Sequence, residues 1–493
     1  MEIYSVFFEK INHKDNYNIV MDLQTDILII GAGPGGYPAA IRSAQLGKKV
    51  IIVEKEYIGG ECLNWGCIPS KALIQSAKFY DKIVRKSEQM GIKVKETEID
   101  ITKMQTWKNE VQDKLIEGIK LLLKTNNVEV IFGTANFESK NVVQVTNNNN
   151  EKININFDDC IISTGTEFIS VPNIEIDEID FLTAKGALNL NSIPEHLVCI
   201  GGGIIGLELG MTWAKLGAKV TIIEMMPNIL NSIDKRATNV LKKKLGKYEV
   251  EILTSTKVLE ANKNGEIIEI LIEKEGQQSR LSASKVLISI GKRANTKNLE
   301  LNKIGVELDQ MGFIKINTQM KTNIDNIYAV GDCVGEPFLA HKATKQGVIA
   351  AEVIAGEPSE GDWRSMPSAI FTDPEIATVG LNEKVAKELG YEIVTGMASF
   401  NASGRALTQL DHDGYVKIIS DQNNGIILGV EIVGANASDL ISEAALAIEM
   451  GATVEDIGYT IHPHPTLPEM IMEAAEAIEG KAIHVPNKRK KKN

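Results

Sequence analysis

Two cysteines stand close together in Gly59-Gly60-Glu61-Cys62-Leu63-Asn64-Trp65-Gly66-Cys67-Ile68-Pro69-Ser70-Lys71. With four residues between them in a helical turn, Cys62 and Cys67 can close a small disulfide loop. They could equally be structural thiols or half of a metal site. A tetrahedral zinc site needs four ligands, and Cys160, Cys199 and Cys333 are scattered without a second close pair. Each of those three reads as a buried small hydrophobe, and no metal is expected. A redox-active pair explains the spacing best. Lys71 lies four residues beyond Cys67, one helical turn on, where its ammonium would lower a thiolate's pKa. Near the other end of the chain, His464 and Glu469 stand in His462-Pro463-His464-Pro465-Thr466-Leu467-Pro468-Glu469. A histidine tuned near neutral pH can take a proton from a thiol, and a carboxylate can fix its tautomer. Thr466 and Glu469 before an apolar run also read as a capping box, which explains Glu469 without chemistry. One carboxylate is not expected to serve both partners fully. His462 reads as structural.

Such side chains need elements to position them, and the strongest element signal occurs twice. Asp26-Ile27-Leu28-Ile29-Ile30 reads as a buried parallel strand. It runs into Gly31-Ala32-Gly33-Pro34-Gly35-Gly36, a helical stretch from Tyr37 to Leu46, and a strand ending at Glu54. This is the order of a dinucleotide site. Gly31 makes the tight turn, Gly33 admits a pyrophosphate, and Gly36 lets helix pack on strand. The helix N-terminus offers free N–H groups, and Glu54 would accept from ribose hydroxyls. Leu197-Val198-Cys199-Ile200 then leads into Gly201, Gly203 and Gly206, a helix to Leu216, and a strand ending at Glu224. First glycine and acid are twenty-three residues apart in both copies. One such motif is weak; two at equal spacing predict two bound dinucleotides. Glu224 would repel a 2′-phosphate, and no basic pair follows it, which favours NAD over NADP.

Composition narrows the class further. The 493 residues are about three domains' worth of chain, and 43% hydrophobic with 24% charged is globular composition. No apolar run approaches the roughly 18 residues of a membrane span. A net charge of −12 disfavours generic nucleic-acid binding, apart from a basic tail, Lys488 to Lys492, read as a solvated end. Residues 1–21 lack the pattern of a secretory signal, so a cytoplasmic location is expected.

Together these motifs resemble the flavoprotein disulfide reductases, the class I pyridine nucleotide-disulfide oxidoreductases, over nearly the whole chain from about residue 22. The resemblance implies FAD on the first fingerprint, NAD on the second, and a Cys62–Cys67 disulfide on one flavin face. It makes Cys67 the flavin-proximal thiol and Cys62 the interchange thiol that meets substrate. Lys71 would sit near the flavin and pair with Glu208, the acid just after the second fingerprint. Further FAD contacts are implied at Gly133, at Ser163, Thr164 and Gly165, at Asp332, and at Leu339, Ala340 and His341. Val258 and Gly291 are implied NAD contacts. The His-x-His-Pro-Thr-Leu-x-Glu segment is similar to that of members oxidising dihydrolipoyl dithiols, with His464 as base and Glu469 its partner. Members acting on mercuric ion carry a C-terminal cysteine pair, and here no cysteine follows Cys333. A glutathione- or mercuric-reductase-like activity is the alternative. The implied partners are a second copy of the chain, whose disulfide His464 would serve, and a lipoyl domain of a 2-oxoacid dehydrogenase or glycine cleavage system, or free dihydrolipoamide.

The implied fold class is α/β: two Rossmann-like dinucleotide-binding domains plus a C-terminal α+β dimerisation domain. The expected boundaries are an extension at 1–21, an FAD domain at 22–168, an NAD domain at 169–290, a return segment at 291–362 completing the FAD domain, and the dimerisation domain with its tail at 363–493. Some positions depart from the family pattern. Trp65 stands where Val is common, Pro468 where Ser is, and Thr344-Lys345-Gln346 where acids are. Glu61 stands where Thr is common, adding a charge beside the interchange thiol.

Overall fold

The structure, a computed structural model, describes residues 21–487; the readings of residues 1–20 and of the basic tail fall outside them. The chain builds three principal sheets. In the first, Val50–Glu54, Met21–Ile30, Lys152–Ile162 and Ile327–Ala329 lie side by side in parallel, with the start of Glu129–Ser139 on the outer edge. The opening strand is longer than its apolar run predicts. Met21 to Thr25 pair in register with Ile153 to Phe157, so backbone pairing carries the strand back over polar residues and shortens the extension by one residue. The Asn147 to Asn150 stretch is the expected turn, with Asn150 at φ +62°.

The second sheet is parallel throughout, in the order Glu251–Leu253, Lys219–Ile223, His196–Ile200, Lys285–Ile288, Phe181–Leu182. An antiparallel meander over residues 256–283 accompanies it. The third sheet is antiparallel and runs from Ser368–Ile370 through Glu375–Gly380, Ile427–Gly434 and Tyr415–Asp421 to Ile393–Ser399. Helices Ala437–Glu449 and Glu469–Glu479 pack on it. This is the expected class, two α/β sheets and an α+β body. A two-stranded ribbon, Thr166–Phe168 against Lys292–Ala294, lies where the chain leaves the first sheet for the second and returns.

One core joins the bodies. Leu73 and Ala77 of the helix Cys67–Lys86 share a buried cluster with Trp213 of the helix Ile204–Lys215 and with Ile370, Ile376 and Val433 of the third sheet. Apolar burial of this kind is worth roughly 1.5–3 kcal/mol per large side chain, so the redox helix is pinned from both sides. Cys160, Cys199 and Cys333 are fully buried, as expected of small hydrophobes.

A charged contact fixes the second body to the third. The Nζ of Lys215 donates to Asp373 Oδ2 at 2.5 Å, and Lys244 lies 3.6 Å from the other oxygen. Burial alone would raise the Asp373 carboxyl, but Lys215 and Lys244 hold it far below the usual carboxylate range. A depressed folded-state pKa contributes stability above the unfolded pKa and loses it as pH falls. Asp373→Asn should therefore cost about 3–5 kcal/mol near neutral pH, because the buried Lys215 is left without its anion while Lys244 keeps Asp413. Urea unfolding at a series of pH values should show the gap to wild type closing below about pH 4.

Candidate active site

The two glycine turns are built alike, atom for atom. Gly31 N–H donates to Val53 O at 2.7 Å and Gly201 N–H to Ile223 O at 2.8 Å. Both glycines adopt positive φ, +101° and +109°, closed to side chains. A Cβ on Gly36 would lie 1.8 Å from Gly31 O, and one on Gly206 would lie 2.2 Å from Gly201 O. The acids grip their turns identically. Glu54 accepts from Ala32 N–H at 2.7 Å and Glu56 N–H at 2.8 Å; Glu224 accepts from Gly202 N–H and Met226 N–H, both at 2.7 Å. Ser163 and Ser289 close the two turns from the neighbouring strand.

The first turn opens onto a cleft of about 350 Å³, within the ~300–1,000 Å³ typical of small-molecule sites. Gly31, Gly33, Glu54, Gly133, Ser163, Thr164, Gly165, Asp332 and Ala340 line it, and so do both Cys62 and Cys67. The hydroxyls of Thr164 and Thr166 are buried there without a partner, which suits a ligand carrying polar groups. Burial raises the Asp332 carboxyl, opposed by Lys292. His341 turns away, with Nε2 2.8 Å from Pro367 O, and neither it nor Leu339 lines the cleft. The helix starting at Ala340 presents Ala340 and Ala343 to the cleft.

At the second turn Gly203 faces open space, with nothing within 4 Å of a Cβ. Gly291 is exposed at φ +134° with its carbonyl accepting from Ile169 N–H. Val258 is buried in the core behind the sheet, two residues beyond Thr256, whose N–H donates to Glu224 O.

Gly59 N–H donates to Ala32 O at 2.8 Å, and a Cβ on Gly60 would lie 2.7 Å from Gly33 Cα. The redox segment is thereby pressed onto the first turn. Its two thiols are free and share a hydrogen bond. That bond, helped by Lys71 and opposed by burial, Glu208 and Glu61, lowers the Cys67 thiol to about 7. The same bond and burial push Cys62 far upward. Lys71 Nζ donates to Glu208 Oε2 at 2.9 Å, and Glu208 Oε1 accepts from Phe371 N–H at 2.8 Å. The Glu208 carboxylate thus bridges the redox helix and the backbone of Phe371.

The C-terminal pair forms as well. His464 Nδ1 lies 2.8 Å from Glu469 Oε1, while Oε2 accepts from Thr466 N–H at 2.7 Å. Burial would raise the Glu469 carboxyl, but these partners hold it below its usual value. One carboxylate does serve two partners, one oxygen each, against expectation. The capping box is only half made, because Thr466 Oγ1 donates to Pro463 O. His462 is satisfied by Thr460 O and Glu443. The His464 side chain is 78% exposed.

Lys292, Phe338 and Tyr57 are among the cleft residues that escaped the sequence reading. Lys292 pairs with Glu61 at 2.5 Å, answering the extra charge; its position directly after Gly291 was the available signal. Phe338 lines the cleft with no motif to mark it. Trp65 meets Tyr57 edge-on at 5.3 Å, with Lys185 above both rings.

Residues 25–347 match the pyridine nucleotide-disulphide oxidoreductase family, and residues 366–475 match its dimerisation domain. The chain belongs to this family. It is 45% identical over 466 residues to a dihydrolipoyl dehydrogenase of Geobacillus stearothermophilus, covering 94% of this chain and 98% of that one. A dihydrolipoyl dehydrogenase of Haloferax volcanii is 42% identical over 468 residues, with the same coverage. Among solved structures, LpdA from Mycobacterium tuberculosis superposes with a TM-score of 0.85 at 26% identity, over 93% of this chain and 99% of that one. No helix among the described residues is long and apolar enough to cross a membrane.

The second turn yields a test. Gly203→Ala meets no protein atom, so its melting temperature should match wild type, while NADH affinity, read by fluorescence titration, should fall about tenfold or more. Gly206→Ala should lose about 1–3 kcal/mol of stability as well.

Proposed function

We propose that the protein oxidises a dihydrolipoyl dithiol and reduces NAD⁺ to NADH through the Cys62–Cys67 pair and FAD. One observation carries the reading: the redox thiols open onto the same cleft as the first glycine turn. The fit of the cleft to FAD rests on that glycine cradle and on the two unpartnered threonine hydroxyls within it. The relatives named dihydrolipoyl dehydrogenase support the choice of substrate.

FAD would be held by Gly31, Gly33, Gly36, Glu54, Gly133, Ser163, Thr164, Gly165, Asp332 and Ala340. NAD⁺ would be held by Gly201, Gly203, Gly206, Glu224 and Gly291, beside the strand of Val258. The chemistry supplied by bound FAD is two-electron relay between the cysteine dithiol and NAD⁺.

The chain's own residues handle thiols and protons. In the oxidised enzyme, a dihydrolipoyl thiolate attacks the Cys62 sulfur, and the Cys62–Cys67 bond breaks. The second lipoyl sulfur then displaces Cys62, leaving a lipoyl disulfide and the enzyme dithiol. Cys67 is the natural leaving group, because its thiolate is the stabilised one, and Cys62 takes up a proton only when the second lipoyl sulfur displaces it. His464 removes the substrate proton through Nε2 while Glu469 holds Nδ1–H. Two electrons and one proton pass to NAD⁺, and one proton leaves to solvent. Lys71, fixed by Glu208, keeps positive charge beside Cys67.

The exposed His464 fits a homodimer in which each histidine serves the other chain's thiols, with the 363–493 module as the interface and the other boundaries as expected above. The dithiol would arrive on a lipoyl domain of a 2-oxoacid dehydrogenase or glycine cleavage system, or as free dihydrolipoamide.

Holoenzyme assayed for NAD⁺ reduction by dihydrolipoamide should be active. Cys62→Ser should abolish turnover, and His464→Gln should lower kcat about 10²–10⁴-fold with FAD content unchanged. Yellow wild-type protein inert toward dihydrolipoamide would sink the reading.

A further inference from the structure

The Glu61 carboxylate sits directly before Cys62 in the short helix Gly60–Asn64 and lines the cleft. Its Oε1 accepts from Lys292 Nζ at 2.5 Å, with side-chain exposures of 24% and 14%. Lys292 opens the strand Lys292–Ala294, opposite Phe168, and its ammonium lies 5.4 Å from the Phe168 ring centre. The pair therefore ties the redox turn to the ribbon between the two parallel sheets. A carboxylate this enclosed beside a thiolate would be costly if unpaired.

We propose that Glu61 and Lys292 form a positioning pair that holds the redox turn against the interdomain ribbon and balances the charge felt by the Cys62–Cys67 thiols. The inference deepens the proposed oxidoreductase site and rests on that reading for the role of the thiols, but not on the identity of the substrate. Lys71, Glu208 and the Cys62 thiol also act on Cys67, with Glu61 the weakest of its neighbours, and Asp332 faces Lys292 from the other wall. Lys71 is already committed to Glu208, which leaves Lys292 as the cation paired to Glu61.

The arrangement gives shifts of opposite sign. Removing the Glu61 charge leaves Lys292 opposed only by Asp332 and favours the thiolate. Removing Lys292 leaves Glu61 uncompensated and disfavours it. The test uses the full chain, with and without FAD, in a Cys62→Ser background, where the serine hydroxyl keeps the donor to Cys67. Thiolate formation is followed by its ultraviolet absorbance against pH.

Glu61→Gln should lower the Cys67 midpoint and Lys292→Met should raise it, each by roughly a few tenths of a pH unit. The double variant should return close to the parent, and Lys292→Arg should restore the midpoint. Two shifts of the same sign, or none, would overturn the proposal, since simple loosening of the turn moves both variants one way. Absence of a long-wavelength flavin–thiolate band in the parent would count against the proposed flavin site, leaving the ultraviolet test of the pair intact.

Discussion

The Glu208 carboxylate is where the three bodies of the molecule meet, and the redox site depends on it. It is 5% exposed, and a carboxylate removed from water survives as an anion only when its oxygens are satisfied. One oxygen takes the ammonium of Lys71 from the redox helix, and the other takes the backbone N–H of Phe371 at the start of the third body. The Phe371 ring lies 4.4 Å below the same ammonium. Glu208 itself rides on the helix of the second glycine turn. A single group thus sets the distance between thiols, second nucleotide turn and C-terminal body. The apolar core around Leu73, Trp213 and Ile370 clamps the same three elements, so the polar contact orients what burial has already joined.

Around that node the chain uses one piece of backbone chemistry twice. The match reaches individual hydrogen bonds: strand carbonyl to first glycine, acid to the next N–H, acid to the N–H two residues on. Glycine is required where φ is positive and where helix meets strand, and the acid is required to hold the turn whether or not a ribose is present. The copies differ in what stands opposite. The first faces Gly60, the thiols and a cleft of about 350 Å³; the second faces open space at Gly203 and an exposed Gly291.

Much of this was legible because it is local. Equal spacing of glycines and acids, apolar strands and a cysteine turn are properties of neighbouring residues, and both turns, the redox helix and the Lys71–Glu208 pair stand where the motifs imply. Long-range polar choices were not legible. Nothing in the residues around Glu61 announces Lys292, 231 positions away. The His341 ring meets Pro367 O, a contact that its motif does not announce. The opening strand outran its apolar run because pairing partners, supplied from residue 153 onward, decide strand length as much as side chains do.

The C-terminal pair shows how a capping residue and a proton-handling residue can share one carboxylate. A cap needs an oxygen aimed at a backbone N–H, and a tautomer-fixing acid needs one aimed at an imidazole. Glu469, at the start of its helix, meets both because the two oxygens diverge, and Thr466 frees it by donating its hydroxyl to Pro463 O. Holding Nδ1 in this way leaves Nε2 as the only nitrogen able to exchange a proton, and Nε2 has no partner among the described residues. The ring is exposed while Glu469 is not, with side-chain exposures of 78% and 21%. The imidazole is thus oriented by its own chain through Nδ1 while the rest of the ring is open to solvent.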